Sequence, residues 1–246
     1  MNILVSIRFY EELNDFLPLK RRKQEFSLSV MGCPSVKHLV ESLGVPHTAV
    51  DLILVNGRSV PFTYTLQDGD LISVYPAFEA FDISMVSKLR EKPLRTLKFI
   101  LDIHLGKLSK YLRLLGFDSL YGNDYKDREI VNLSLADNRI ILTRDRGLLK
   151  IKEVVRGYWV RNTNPQRQLK EILKRFDLKT LITPFSICMM CNGKIERIDK
   201  KNIRERIDQT IFSRFDEFFF CKDCGKIYWK GSHYKSMIKF IDKSIT

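Results

Sequence analysis

The stretch "LKFILDIHLGKLSKYLRLLGFDSLYG", Leu97 to Gly122, decides how the rest of the chain is read. It opens with a short apolar run closed by Asp102, which has the length and composition of a buried strand. Leu105, Leu108, Leu112 and Leu115 then fall on one helical face, and Gly116 supplies a stop. "DSLYG" reads as a second strand. Further on, "DREIVNLSLADN" reads as a helix with Asp127 near its start and "RIILT" as a third strand ahead of Asp145. "EVVRGYWVR" is strand-like, and "PQRQLKEILKRF" is a helix with Pro165 in its first turn. Strands alternating with helices of about 10 to 15 residues predict a parallel sheet covered by helices, an α/β fold.

Upstream, Ile3, Val5, Ile7 and Phe9 alternate with more polar positions, the period of a half-buried strand. "EFSLSV" continues the pattern. "PSVKHLVESLG" is a short helix with Ser35 as N-cap and Gly44 as stop, and "DLILVNGRSV" carries a hairpin-type Asn56-Gly57 turn before "DGDLISVYP". The order is β-β-α-β-β. With "ILVNG" followed by "LQDGDLISVYP", it resembles the ubiquitin-like β-grasp domains of small sulfur carriers. Carrier chemistry needs a free C-terminal Gly-Gly, whereas Tyr75-Pro76-Ala77-Phe78-Glu79 runs on into more chain. The module is therefore expected to serve solubility or the docking of a protein partner. Cys33, without a neighbouring cysteine, reads as an ordinary small apolar residue. Residues 82–96, polar and basic with one proline, suit a linker. The expected domains are 1–81, the linker 82–96, 97–184 and 185–246.

The formal charge of +13 is unevenly spread. Residues 1–86 hold 7 Lys+Arg against 10 Asp+Glu, and residues 87–246 hold 35 against 19, so the basic excess belongs to the later part. Such an excess concentrates polyanions, nucleic acid first among them, although a Lys-rich solvated surface gives the same count. No apolar run approaches the roughly 20 residues that span a bilayer, and the N-terminus lacks the layout of a signal peptide, so a cytosolic protein is expected.

In open α/β sheets, ligands bind beyond the carboxyl ends of the strands, where Asp102, Asp124 and Asp145 fall, with Asp127 at the start of the intervening helix. Four carboxylates converging there would repel one another unless a cation sat among them, and oxygen donors suit Mg²⁺ or Mn²⁺. A metal-activated water in such a centre hydrolyses phosphodiesters. Each aspartate also has a plain structural use: Asp102 and Asp127 as helix caps, Asp145 as a turn opener. Arg144 and Arg146 suit either a phosphate or a neighbouring carboxylate. Lys107, Lys110 and Arg113 add basic groups on the helix after Asp102. At the far end, aromatics interleave with basic residues, and Lys230, His233, Tyr234 and Lys235 are candidate RNA contacts.

Cys188-x-x-Cys191 and Cys221-x-x-Cys224-Gly225 have the spacing of two zinc knuckles. Four thiolates close the coordination sphere, so the ion is expected to be structural zinc. A pair of disulfides is disfavoured in a cytosolic chain with unpaired Cys33.

The run from Leu97 to Leu149, with "PFSICMMCNGKIE" and "CKDCGKIYWKGSHYKSM" downstream, resembles the Mut-seven C-terminal RNase domain family. That resemblance implies a PIN-like nuclease fold followed by a zinc ribbon, preceded in some members by a ubiquitin-like domain. The family's acidic positions fall on Asp102 in "ILDIHLG", Asp124 and Asp127 in "YGNDYKDREI", and Asp145 in "LTRD"; whether Asp124 and Asp127 both touch metal stays open. The implied activity is metal-dependent hydrolysis of RNA. The rival reading is a non-catalytic RNA-binding protein in a processing or translation-associated assembly, and the acid cluster is what separates the two. A sulfur-transfer accessory role is opposed by the missing Gly-Gly.

Overall fold

The computed structural model describes residues 2–76 and 97–245, so the expected linker 82–96 lies outside the described residues. Contacts divide the chain into two compact units, Met1–Thr96 with Asp145–Trp159, and Leu97–Arg144 with Val160–Thr246.

In the first unit, β1 (Asn2–Phe9), β2 (Phe26–Met31), β3 (Val50–Val55), β4 (Arg58–Ser59) and β5 (Leu71–Pro76) form a sheet of order β2-β1-β5-β3-β4. β1 and β5 are parallel and the other pairings antiparallel. The alternation in β1 is realised: Ile3, Val5, Ile7 and Phe9 are buried together with Val36, Leu39 and Val40 of α1 (Val36–Ser42). Ser35 caps α1 as expected, its hydroxyl accepting from the His38 amide at 3.3 Å. Asn56 and Gly57 take φ +51° and +77°, the left-handed pair that a tight hairpin needs. The short β4 follows that turn, one strand more than the sequence order resolved.

In the second unit, β6 (Phe99–Leu101) runs parallel to both β7 (Ser119–Tyr121) and β8 (Ile140–Thr143). α2 (Gly106–Leu114) and α3 (Asp127–Asp137) connect them. Phe99, Ile100, Leu101, Ile141 and Leu142 are buried in a continuous apolar core, as parallel strands covered by helices require. Leu105, Leu108, Leu112 and Leu115 are all buried, the helical face read from the sequence. Gly116 stops α2 at φ +92°, with Thr183 and Ser186 packed where a Cβ would stand.

After β8, the strand-like run "EVVRGYWVR" is strand at Gly157–Trp159 (β9), which completes the sheet of order β7-β6-β8-β9. By its contacts, Asp145–Trp159 groups with the first unit. The physical reason is apolar: Leu148, Leu149 and Val154 are buried, and Trp159 packs against the core of the ubiquitin-like sheet.

The chain returns to the second unit at Val160, whose amide donates to Thr143 O. α4 (Pro165–Arg175) follows, with Pro165 in its first turn and the Asn164 side chain accepting from the amides of Gln166 and Arg167. β10 (Ile195–Ile198), β11 (Phe218–Cys221) and β12 (Ile227–Trp229) form an antiparallel sheet of order β10-β11-β12. Turns and α5 (Gln209–Arg214) fill the long insertion between β10 and β11, and α6 (Ser232–Ile245) follows β12. Among the described residues, no helix is long and apolar enough to cross a membrane.

Candidate metal centre and acid residues

The two cysteine pairs sit in matching turns. The Asn192 amide donates to Cys188 O and the Gly225 amide to Cys221 O; the Cys188 amide donates to Gly193 O and the Cys221 amide to Lys226 O. Asn192 and Gly225 carry φ +73° and +69°, the left-handed step that turns each thiol inward. All four sulfurs lie within 4.8 Å of one another, and Cys188 Sγ is 3.7 Å from Cys224 Sγ. Sulfurs around a tetrahedral zinc ion stand about 3.8 Å apart. The four cysteines are thus positioned to hold a metal such as zinc.

Electrostatics agrees with that fit. Burial pushes the Cys188 thiol up, but the Tyr228 hydroxyl, 2.9 Å from its sulfur, and the Cys191 and Met190 amides bring it down to about 7. Burial and the three neighbouring sulfurs push Cys191 up to about 12 against the Gly193 amide. Four thiols at these distances resist ionising together until a cation joins them. Tyr228 thus supports the sulfur of Cys188, one of the four candidate ligands. Its own ionisation is pushed up by burial and by Cys188.

The first knuckle is built into the α/β sheet. β7 pairs with β6 alone among the described strands, so the outer backbone groups of Ser119 need other partners. The Ser119 amide donates to Asn192 Oδ1 at 2.7 Å, and its carbonyl accepts from Arg113 Nε at 2.8 Å. The Arg113 guanidinium also donates to Met189 O at 3.2 Å and Met190 O at 3.0 Å. Asn192 Nδ2 donates to Asp118 Oδ1 at 2.6 Å, and Asp118 pairs with Arg139, again at 2.6 Å. Arg113 is only 3 % exposed, which corrects its expected role as a phosphate contact. Sequence reasoning missed Asn192, Asp118 and Arg139, whose partners lie far along the chain.

Asp102 ends β6. It is 7 % exposed, and its Oδ2 accepts from the Thr143 hydroxyl at 2.8 Å. It precedes a turn of 3-10 helix, yet its side chain makes no capping bond. Tyr121 holds that turn by donating to Ile103 O at 3.0 Å, and its ring packs where a Gly106 Cβ would stand. Asp127 is the first residue of α3. Lys126 occupies the cap position, and no side chain caps the helix. Asp124 and Asp127 are exposed. Asp145 does act as a turn residue, its Oδ1 accepting from the Gly147 amide at 2.7 Å. Among the described residues, the four cysteines are the one group of three or more potential ligands within metal-binding range; Asp102, Asp124 and Asp127 do not form another.

Lys107 and Lys110 are exposed on α2, and His233 and Lys235 on α6. Lys230 is exposed and paired with Glu217 at 2.7 Å, while Tyr234 lies tilted against Phe185 with ring centroids 4.6 Å apart. Arg144 donates to the carbonyls of Arg161 and Asn162. Arg146 lies over the Trp159 ring.

No curated protein and no solved structure matches the chain. The family model of the Mut7-C ubiquitin domain matches residues 2–82, and that of the Mut7-C RNAse domain matches residues 97–241. With its α/β sheet, its four-cysteine centre and its N-terminal β-grasp unit, the chain belongs to the Mut7-C RNAse domain family.

Proposed function

We propose that the protein is a metal-dependent ribonuclease that hydrolyses RNA phosphodiesters, using Asp102, Asp124, Asp127 and Asp145 as its acids and Mg²⁺ or Mn²⁺ as the catalytic ion. The observation that carries this reading is Asp102, a buried carboxylate at the carboxyl end of the central parallel strand with no capping duty. Burying a carboxylate costs free energy unless it is partnered, and one hydroxyl is a weak partner for an ionised group. Asp127 likewise leads α3 without capping it. These acids are the protein's own supply of hard oxygen donors, which is the chemistry a divalent cation selects. The four cysteines hold structural zinc, and the exposed Lys107, Lys110, His233 and Lys235 attract the RNA backbone.

The exposed Lys107, Lys110, His233 and Lys235, together with the four-cysteine centre, also serve a second reading, an RNA-binding protein without hydrolytic chemistry. Incubating mixed cellular RNA with the zinc-loaded protein in Mg²⁺, Mn²⁺ or EDTA decides between them. The proposal expects cleavage with a divalent ion and none in EDTA. Binding without turnover under every condition would favour the second reading.

A further inference from the structure

The segment Asp145–Trp159 opens on an acid of the proposed site, yet it packs as part of the unit built by the ubiquitin-like domain. Polar and aromatic contacts hold it there. His47, 7 % exposed, has Nδ1 2.6 Å from Glu41 Oε1, and its Nε2–H donates to Val154 O at 2.8 Å. The Thr48 hydroxyl donates to Leu149 O at 3.4 Å, and the Lys150 ammonium to Glu41 O at 3.2 Å. Trp159 lies against Phe16 with ring centroids 5.0 Å apart. The Arg146 guanidinium covers both rings, 4.0 Å from the Trp159 centroid and 5.4 Å from that of Phe16.

These contacts hold the chain directly after Asp145. Arg146 is its immediate neighbour, Gly147 donates to its carboxylate, and Leu148 and Leu149 are buried directly afterwards. We infer that the ubiquitin-like domain acts in cis as the holder of the Asp145 turn, with Phe16, His47 and Arg146 as positioning residues. The inference rests on the reading of Asp145 as a catalytic acid. It gives Arg146 a role different from phosphate binding: a planar stacked guanidinium is not replaced by lysine, whereas a charge that attracts phosphate is.

The test uses the full chain and two readouts. Amide exchange is followed at Lys150 and Val154, whose N–H groups donate to Gly147 O and Ile151 O, and at Asp102, whose N–H donates to Leu142 O, as the control. RNA cleavage is resolved into kcat and KM. In His47→Ala and Phe16→Ala, exchange at Lys150 and Val154 should rise by about tenfold or more while Asp102 stays protected. In the same variants kcat should fall by about tenfold or more with KM within about twofold. Arg146→Lys, which leaves the apolar core untouched and keeps the charge, should behave like them. Unchanged exchange in His47→Ala and Arg146→Lys would overturn the inference, as would a released segment with cleavage at the wild-type rate. A wild-type protein that cleaves nothing under any metal condition would overturn the ribonuclease reading and this inference with it, a result distinct from failure in the variants alone.

Discussion

Replacing Arg113 with methionine separates two roles that a basic residue on α2 can play. If Arg113 served RNA, it would act with the exposed Lys107 and Lys110; its guanidinium instead donates to the carbonyls of Ser119, Met190 and Met189. Methionine keeps an apolar stem of similar reach and removes every donor. Ser119 is fully buried, so its orphaned carbonyl finds no water and costs about 1–3 kcal/mol. Met190 is exposed and Met189 half-buried, so their carbonyls rehydrate, with a loss of about 0.5–1.5 kcal/mol each. Against these losses, the variant no longer has to desolvate a guanidinium, a burden visible in the burial that depresses the Arg113 pKa. The net is a destabilisation of about 2–4 kcal/mol, which lowers the melting temperature of the second unit by about 4–16 °C. Thermal unfolding of the metal-loaded protein measures it. Arg113→Lys should recover little, since one ammonium cannot reproduce the guanidinium's spread of donors. The salt dependence of RNA affinity should not change in either variant. An unchanged melting temperature, with a logarithmic salt slope reduced by about one, would refute this reasoning and return Arg113 to the RNA.

Other outcomes follow from the same geometry. Cys221→Ser should lower bound zinc from one ion per chain and speed exchange of the Ser119 amide, which donates to Asn192 beside the first knuckle, while the ubiquitin-like sheet keeps its protection; unchanged zinc content would exclude the site. Asp118 tests the acid limb of stability. Burial alone would raise its pKa, but the hydrogen bonds from Arg139 and Asn192 and the charge of Arg139 outweigh it and hold the carboxyl below the ordinary 3.8. A depressed carboxylate stabilises the fold above its unfolded pKa and loses that contribution as pH falls through the folded value. Asp118→Asn should therefore weaken the fall in stability across that acidic window, measured by denaturant midpoints, and an unaltered acid limb would exclude the pairing. Lys107→Glu with Lys110→Glu should flatten the salt dependence of RNA affinity by about two in the logarithmic slope if both lysines contact phosphate, whereas an unchanged slope would place the RNA elsewhere.

The features legible in the sequence were the local ones. The β1 alternation, the Ser35 cap, the Asn56-Gly57 turn, the leucine face of α2 and the two cysteine knuckles each express themselves within a few residues, where backbone preference and periodicity act. Arg113 was misread because charge suggests surface, and only the three-dimensional neighbourhood reveals three carbonyls waiting for a guanidinium. Asn192 follows its cysteine without any signal that its amide would close the edge of β7. Asp145–Trp159 follows the strand-like pattern of "EVVRGYWVR" into the sheet that precedes it, where β9 stands. Its burial is decided by Phe16, His47 and Thr48, about a hundred positions earlier, and no local pattern encodes that choice. The acids were legible as positions. Their distances from one another depend on loops and on any ion among them.

The central claim is tested most directly at Asp102. Asp102→Asn keeps the size of the side chain and an oxygen to accept from Thr143, but it removes the charge that a hard cation requires. With zinc content and melting temperature matched to wild type, metal-dependent cleavage of labelled RNA by Asp102→Asn should fall by about a hundredfold or more while RNA affinity holds or rises. Cleavage by Asp102→Asn at close to the wild-type rate would contradict the assignment of this sheet edge as the catalytic site.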